Sequence, residues 1–160
     1  MQASELLEKG HMMVIQAVDD LPELQWDMPG VCGEWSVKDI IAHLASYERV
    51  VLDVLNTFSG KEPTPYVLRF VSQTQEFDDA EVTARKYATA QQVIDEYQDT
   101  QVQTTSLLEQ ISPERVQQAG TMPWYQQGLS LADFINRMYE HTREHCDQIA
   151  RFRNKVKSNG

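Results

Sequence analysis

The sequence predicts an all-α fold, an antiparallel four-helix bundle with long connections. Two observations carry this. Four stretches place apolar residues at spacings of three and four, the period of an amphipathic helix, and no two stretches show the alternation of a strand pair. At 160 residues the chain suits one domain spanning 1–160, with enough surface to bury for a core of its own.

The first helix is expected from Ser4 to about Leu21, on the stripe Leu7, His11, Val14, Ile15 and Val18, with Pro22 ending it. The stretch "PELQWDMPGVCGEWS" that follows has two prolines and two glycines and reads as a loop. The second helix starts after Ser36. This serine is placed to cap the first free amides, and Asp39 lies where the positive end of the helix dipole favours a carboxylate. Its stripe is Ile40, His43, Leu44, Tyr47, Val51, Val54, Leu55 and Phe58, closed by "SGKEPTP".

Residues 66–79, "YVLRFVSQTQEFDD", suit either a short helix or a loop. A third long helix is expected from Asp78 or Asp79 to about Ile111. Its apolar members are Val82, Tyr87, Val93, Ile94, Tyr97, Val102, Leu107, Leu108 and Ile111, and Pro113 marks its end. After "GTMPWYQQG", Ser130 and Asp133 repeat the Ser36–Asp39 device. The fourth helix carries Phe134, Met138, His141, His145, Ile149 and Phe152 on one stripe. Connections of roughly 15 to 20 residues exceed the ~2 to 8 of simple bundles, which implies long crossovers or loops covering one end.

Composition narrows the function. A formal net charge of -10 disfavours nucleic acid and anionic membrane as partners, since both are bound by clustered Lys and Arg. The basic residues near the C-terminus, Arg143, Arg151, Arg153, Lys155 and Lys157, complement a helix end. No apolar run approaches the ~18 residues of a membrane span, and "MQASELLEKG" lacks the apolar core of a signal peptide. Cytoplasmic localisation is therefore expected, with Cys32 and Cys146 as reduced thiols.

The histidines carry the chemistry. On a helix of ~3.6 residues per turn, His141 and His145 share one face, and their apolar neighbours turn that face into the bundle. His43, on the second helix's stripe, is the third candidate. Three imidazoles from two facing helices suit a divalent metal such as Zn or Ni, with positions left for water or substrate. The same spacing also fits buried neutral histidines hydrogen-bonded to carbonyls or carboxylates. His11 has no paired residue on its helix and reads as a satisfied core or boundary histidine.

The pair "GEWSVKDIIAHL" (Gly33 to Leu44) and "EHTREHCDQI" (Glu140 to Ile149) resembles the DinB-like superfamily of bacterial four-helix bundles, which includes metal-dependent thiol transferases. In that superfamily a tryptophan-serine start leads into a helix with one metal-binding histidine, and the last helix carries two more. The resemblance thus implies His43, His141 and His145 as metal ligands, the set the stripes select. "HCDQI" stands where relatives carry a basic-and-glycine run. "TMPWY" (Thr121 to Tyr125) resembles the proline-tryptophan segment of a branch that protects cells by hydrolysing a genotoxin.

The resemblance implies a divalent-metal-dependent enzyme, a thiol-dependent transferase or hydrolase acting on a small electrophilic or toxic molecule. Its partners would be that substrate, a low-molecular-weight thiol and, by analogy, a second copy in a homodimer. A metal there can supply a nucleophile from water or thiol at neutral pH. The alternative is a non-catalytic small-molecule-binding or stress-protection protein of the same fold. Tyr47, one turn from His43, is a candidate hydrogen-bond donor to the site, or else a packing residue. Glu48, Glu140 and Glu144 are candidate bases or carboxylate partners of the imidazoles, although their offset from the stripes favours solvated faces. Cys146 should point ~100° away from His145. Trp35, Trp124 and Tyr125 are expected to anchor loops, with a pocket lining as the other reading.

Overall fold

The computed structural model describes residues 2–159. Its four long helices are α1 (Ala3–Ala17), α3 (Val37–Thr57), α6 (Ala90–Glu109) and α8 (Leu131–Asn159). The shorter α2 (Glu23–Trp26), α4 (Pro65–Ser72), α5 (Thr74–Ala84) and α7 (Pro113–Gln117) lie in the connections. Among the described residues the only β pairing is an isolated bridge between Cys32 and Trp35.

Cross-contacts fix the direction of each helix. Lys38, at the start of α3, donates to the carbonyls of Lys86 and Ala88 just before α6. Arg115, in α7 beyond the end of α6, donates to the carbonyl of Phe58 at the end of α3. Helices α3 and α6 are therefore parallel. Gly10 faces Tyr139, and Arg153 donates to the carbonyl of Ala17, so α1 and α8 are parallel too. His43 meets His145 while Tyr47 stacks on His141, which sets α3 against α8. The bundle is two parallel pairs running antiparallel to each other. The long crossover, residues 58–89 with α4 and α5 in it, returns the chain to the end where α3 began.

The capping expected at two helices is present. Ser36 Oγ accepts from the Asp39 amide at 3.1 Å while the Ser36 amide donates to the Asp39 carboxylate at 3.0 Å. Ser130 and Asp133 repeat the pair at 3.0 and 3.1 Å at the start of α8. Each device satisfies two amides that the helix itself leaves open.

Two expectations need correction. The first helix ends at Ala17 rather than near Leu21: Asp20 adopts a left-handed conformation at φ 54°, and Pro22 disfavours a helical Leu21. The stretch from Asp78 to Ile111 is not one helix. It breaks after Ala84 and restarts at Ala90, where Thr89 and Gln92 form a capping box. Tyr87, expected on the stripe, lies in the break and is 92% exposed, and Val102 is 69% exposed. Residues 66–79, open between helix and loop, are helical on either side of a break at Gln73, with Thr64 capping α4 and Pro65 at its first turn.

Arg85 ties the crossover to the bundle. Its guanidinium makes two parallel bonds to Glu96 of α6, at 2.8 and 2.9 Å, and a third to Glu81 of α5 at 3.0 Å. Tyr66 of α4 donates to the same Glu81 at 2.6 Å.

The apolar core forms two clusters. One holds Leu7, Val50, Val54, Leu55, Phe70, Leu108 and Phe134. The other holds Val14, Val37, Ile40, Leu44, Val93, Cys146 and Ile149. Along α3 they divide between Ala45 and Tyr47, and the buried His43, Ser46 and Glu48 lie at that waist, with His11, Thr104 and His145 reaching it from the neighbouring helices.

Candidate metal centre

Helical spacing alone sets two of the ring positions. His141 and His145 lie one turn apart on α8 with ring centroids 4.6 Å apart, and α3 brings His43 to 4.9 Å from both. All three rings turn the same nitrogen inward. His43 Nε2 lies 3.0 Å from His141 Nε2, and His145 Nε2 lies 3.1 Å from it. One ligand atom from each histidine fits within a 4.8 Å span.

This convergence is poorly satisfied by hydrogen bonding. An imidazole nitrogen carries either one hydrogen or one in-plane lone pair, so His141 Nε2 can bond to His43 or to His145, not both. A cation between the three lone pairs removes the conflict. Nitrogens held ~2.0–2.1 Å from one ion sit ~3.0–3.4 Å apart, which is the spacing seen. The donor set therefore fits a divalent metal.

The electrostatics keep these nitrogens available. Burial, then the neighbouring His141 and His145, lowers the His43 pKa to about 2. Burial, then His145, lowers that of His141 to about 4. His145 is lowered by burial, against opposing effects of Gln148 and Glu144. At neutral pH the three rings are uncharged, as ligation requires. His145 Nδ1–H donates to Gln148 Oε1 at 2.8 Å, leaving its Nε2 lone pair facing the other two.

Aromatic walls surround the triad. Tyr47 stacks on His141 at 4.5 Å and 19°, and its centroid lies 4.4 Å from His43. Trp35 also packs against His43, at 5.0 Å, so this loop residue both anchors its loop and lines the site. Trp124 and Tyr125 behave as anchors: they pack on each other, and Tyr125 lies 5.7 Å from Phe134. The Tyr47 phenol is raised by burial and by Asp78, so it stays protonated and able to donate.

The glutamates are not at the triad. Glu48 is buried, and its Oε1 accepts from His11 Nε2 and Thr104 Oγ1, both at 2.7 Å. It turns away from the imidazoles because α1 and α6 supply the donors its burial demands. Neither reading offered for Glu48 holds: it does not serve the three histidines, and it is buried rather than solvated. His11 is a core histidine, paired through Nε2 alone, with its buried Nδ1 lacking a hydrogen-bond partner. Glu140 and Glu144 are exposed, with Glu140 paired to Arg143, so neither supports a ring from within the bundle. Cys146 packs into the second core cluster, away from the triad, and both cysteines are free.

One residue that sequence reasoning missed does lie beside the triad. Asp78 of α5 places Oδ1 3.9 Å from His43 Nδ1. It belongs to no stripe of the four long helices, and only the path of the crossover brings it there. The acidic run "FDDAE" carried no signal that one carboxylate would face inward.

A family model described as the DinB superfamily matches residues 6–149. A crystal structure of a Streptococcus pneumoniae protein, solved by a structural genomics consortium, superposes with a TM-score of 0.77 at 13% identity. The match covers 95% of this chain and 88% of that one, and at such identity it speaks for the fold. No curated protein matches the chain.

Proposed function

The chain belongs to the DinB superfamily, and from that premise we propose that it is a divalent-metal-dependent enzyme, a thiol-dependent transferase or hydrolase acting on a small electrophilic or toxic molecule. The observation that carries the reading is the convergence of three Nε2 atoms on one point. His43, His141 and His145 would hold the ion, with Zn or Ni the best match to three imidazoles. A divalent ion there supplies Lewis acidity that makes a nucleophile of water or of a low-molecular-weight thiol at neutral pH.

The chain's own residues do the rest. Trp35 and Tyr47 flank His43 with apolar faces, which favours an apolar substrate body and excludes water from the rings. Tyr47 keeps its proton and can donate it in a hydrogen bond to substrate. Gln148 orients His145. A small-molecule substrate and a thiol co-substrate are the proposed partners, with a homodimer proposed by analogy. No helix among the described residues is long and apolar enough to cross a membrane.

One observation favours a second reading. Glu48, Glu140 and Glu144 all lie off the triad, so none of them serves it as a general base. This suits a non-catalytic binding or stress-protection protein. Turnover of an electrophile and ester panel by the metal-loaded protein, with and without thiol, separates the two. Thiol-dependent or hydrolytic turnover lost in His141→Ala supports the enzyme. Stoichiometric binding without turnover supports the second reading. Elemental analysis tests the metal itself: wild type carrying no more transition metal than His141→Ala sinks it.

A further inference from the structure

Two buried polar atoms face each other across the edge of the triad without a partner. His43 Nδ1 and Asp78 Oδ1 are both shielded from solvent, both lack a hydrogen bond, and they lie 3.9 Å apart. Buried polar groups left in this state are uncommon and costly. A shift of about 1 Å would bring the two within hydrogen-bond distance. His43 Nε2 already points at His141, so Nδ1 is the nitrogen free to donate.

We propose that Asp78 is a positioning residue for the metal centre: its carboxylate accepts from His43 Nδ1–H and fixes the tautomer that turns the Nε2 lone pair inward. This rests on the reading of the triad as a metal site. A neutral histidine has two tautomers, and the wrong one places a hydrogen where the ion must sit. A carboxylate on the far nitrogen settles the choice and makes the ligand more basic. Gln148 already plays this part for His145, at 2.8 Å from its Nδ1.

The surroundings hold Asp78 to this role. It is the residue after Phe77, whose ring packs among Tyr47, Tyr66 and Phe70 and so seats α5 against α3. One turn further along α5, Glu81 is bound by Arg85 and Tyr66. The helix that presents the carboxylate is thus fixed at two points. Tyr47, itself in contact with His43 and His141, is the other donor close to the same carboxylate.

The test uses Zn(II) as probe. Its affinity for metal-stripped wild type, Asp78→Asn, Asp78→Ala and Asp79→Asn is measured by competition with a chromophoric chelator. Asp79 is the exposed neighbour and serves as the control. The expected result is a loss of ~10–100-fold in affinity for both Asp78 variants and none for Asp79→Asn. A second readout needs no variant: in nitrogen-15 spectra of Zn-loaded wild type, His43 should show a protonated Nδ1 with a strongly downfield hydrogen. Wild type that binds no Zn(II) overturns the metal reading itself. Wild type that binds, with Asp78 variants within twofold of it or with His43 protonated at Nε2, overturns the positioning role alone.

Discussion

His43 and His141 stand with their Nε2 atoms 3.0 Å apart, while His145 approaches the same His141 nitrogen at 3.1 Å. One nitrogen cannot serve both neighbours by hydrogen bonding, so the metal-free site carries a built-in frustration that an ion relieves. Measurable consequences follow for ligand binding, for pH and for the packing around the site.

Zn(II) should stabilise the fold through this site. At a free concentration one hundred times its dissociation constant, an ion that binds only the folded state adds ~2.7 kcal/mol. For a chain of this length that corresponds to a rise in Tm of roughly 5 to 10 °C. Thermal unfolding with and without Zn(II), followed by circular dichroism, should show the rise in wild type and not in His141→Ala.

Acid should destabilise the metal-free protein. Folding lowers the pKa of all three histidines from the ordinary 6.5, to about 2 for His43 and about 4 for His141. Below 6.5 the unfolded chain takes up protons that the folded chain does not, so stability is full above 6.5 and falls as pH drops toward 4 and below. Asp78, raised by burial, acts in the opposite sense over the carboxylate range, but it is one group against three. Urea midpoints at pH 7.5 and 5.0 should differ less in His43→Phe than in wild type. An equal difference would show that the triad is not the source.

Glu48→Ala should lower stability and be mild for metal. Removing the carboxylate leaves His11 without a hydrogen-bond partner in the core, while Thr104 keeps its bond to the Gln101 carbonyl, at a cost of about 1–3 kcal/mol for a buried polar group left unpaired. Because the hydrogen bonds of Glu48 go to His11 and Thr104 and not to the triad, Zn(II) affinity measured below the unfolding transition should stay within about threefold of wild type.

Arg85→Ala should loosen the crossover. It removes three charged hydrogen bonds across α5 and α6, two of them to the partly exposed Glu96, and should cost ~2–3 kcal/mol in urea unfolding. Hydrogen exchange should rise in α5 before it rises in α1 or α8.

Most of what builds the triad was legible in the chain. Ser36–Asp39 and Ser130–Asp133 announce the helices that carry the ligands, and the stripe positions of His43, His141 and His145 point all three inward. The capping pair Thr89–Gln92 also stood in the sequence. The apolar residues on either side of it, Val82 and Val93, suggested one continuous helix and hid the break. What could not be read was where the crossover travels. Asp78 reaches the site, and Glu48 leaves it, because of which helices lie beside which. Local period does not encode that choice: Glu48 looks solvated on its own helix and is buried only because α1 and α6 arrive with His11 and Thr104.

The histidines that meet at His141 come from opposite ends of the chain, with 98 positions separating it from His43. An ion held by all three would therefore act on the chain as a removable cross-link closing a very long loop. Because the ion binds only the folded state, it leaves the unfolded ensemble free, and the closure of that loop of about 100 residues, ~4–5 kcal/mol by the relation used for disulfides, is met by the packing of the bundle before the ion binds. So distant a junction forms late, after α3 and α8 have docked. Zn(II) should then slow unfolding far more than it speeds refolding, so the ion works as a latch on the finished bundle rather than as a nucleus for it.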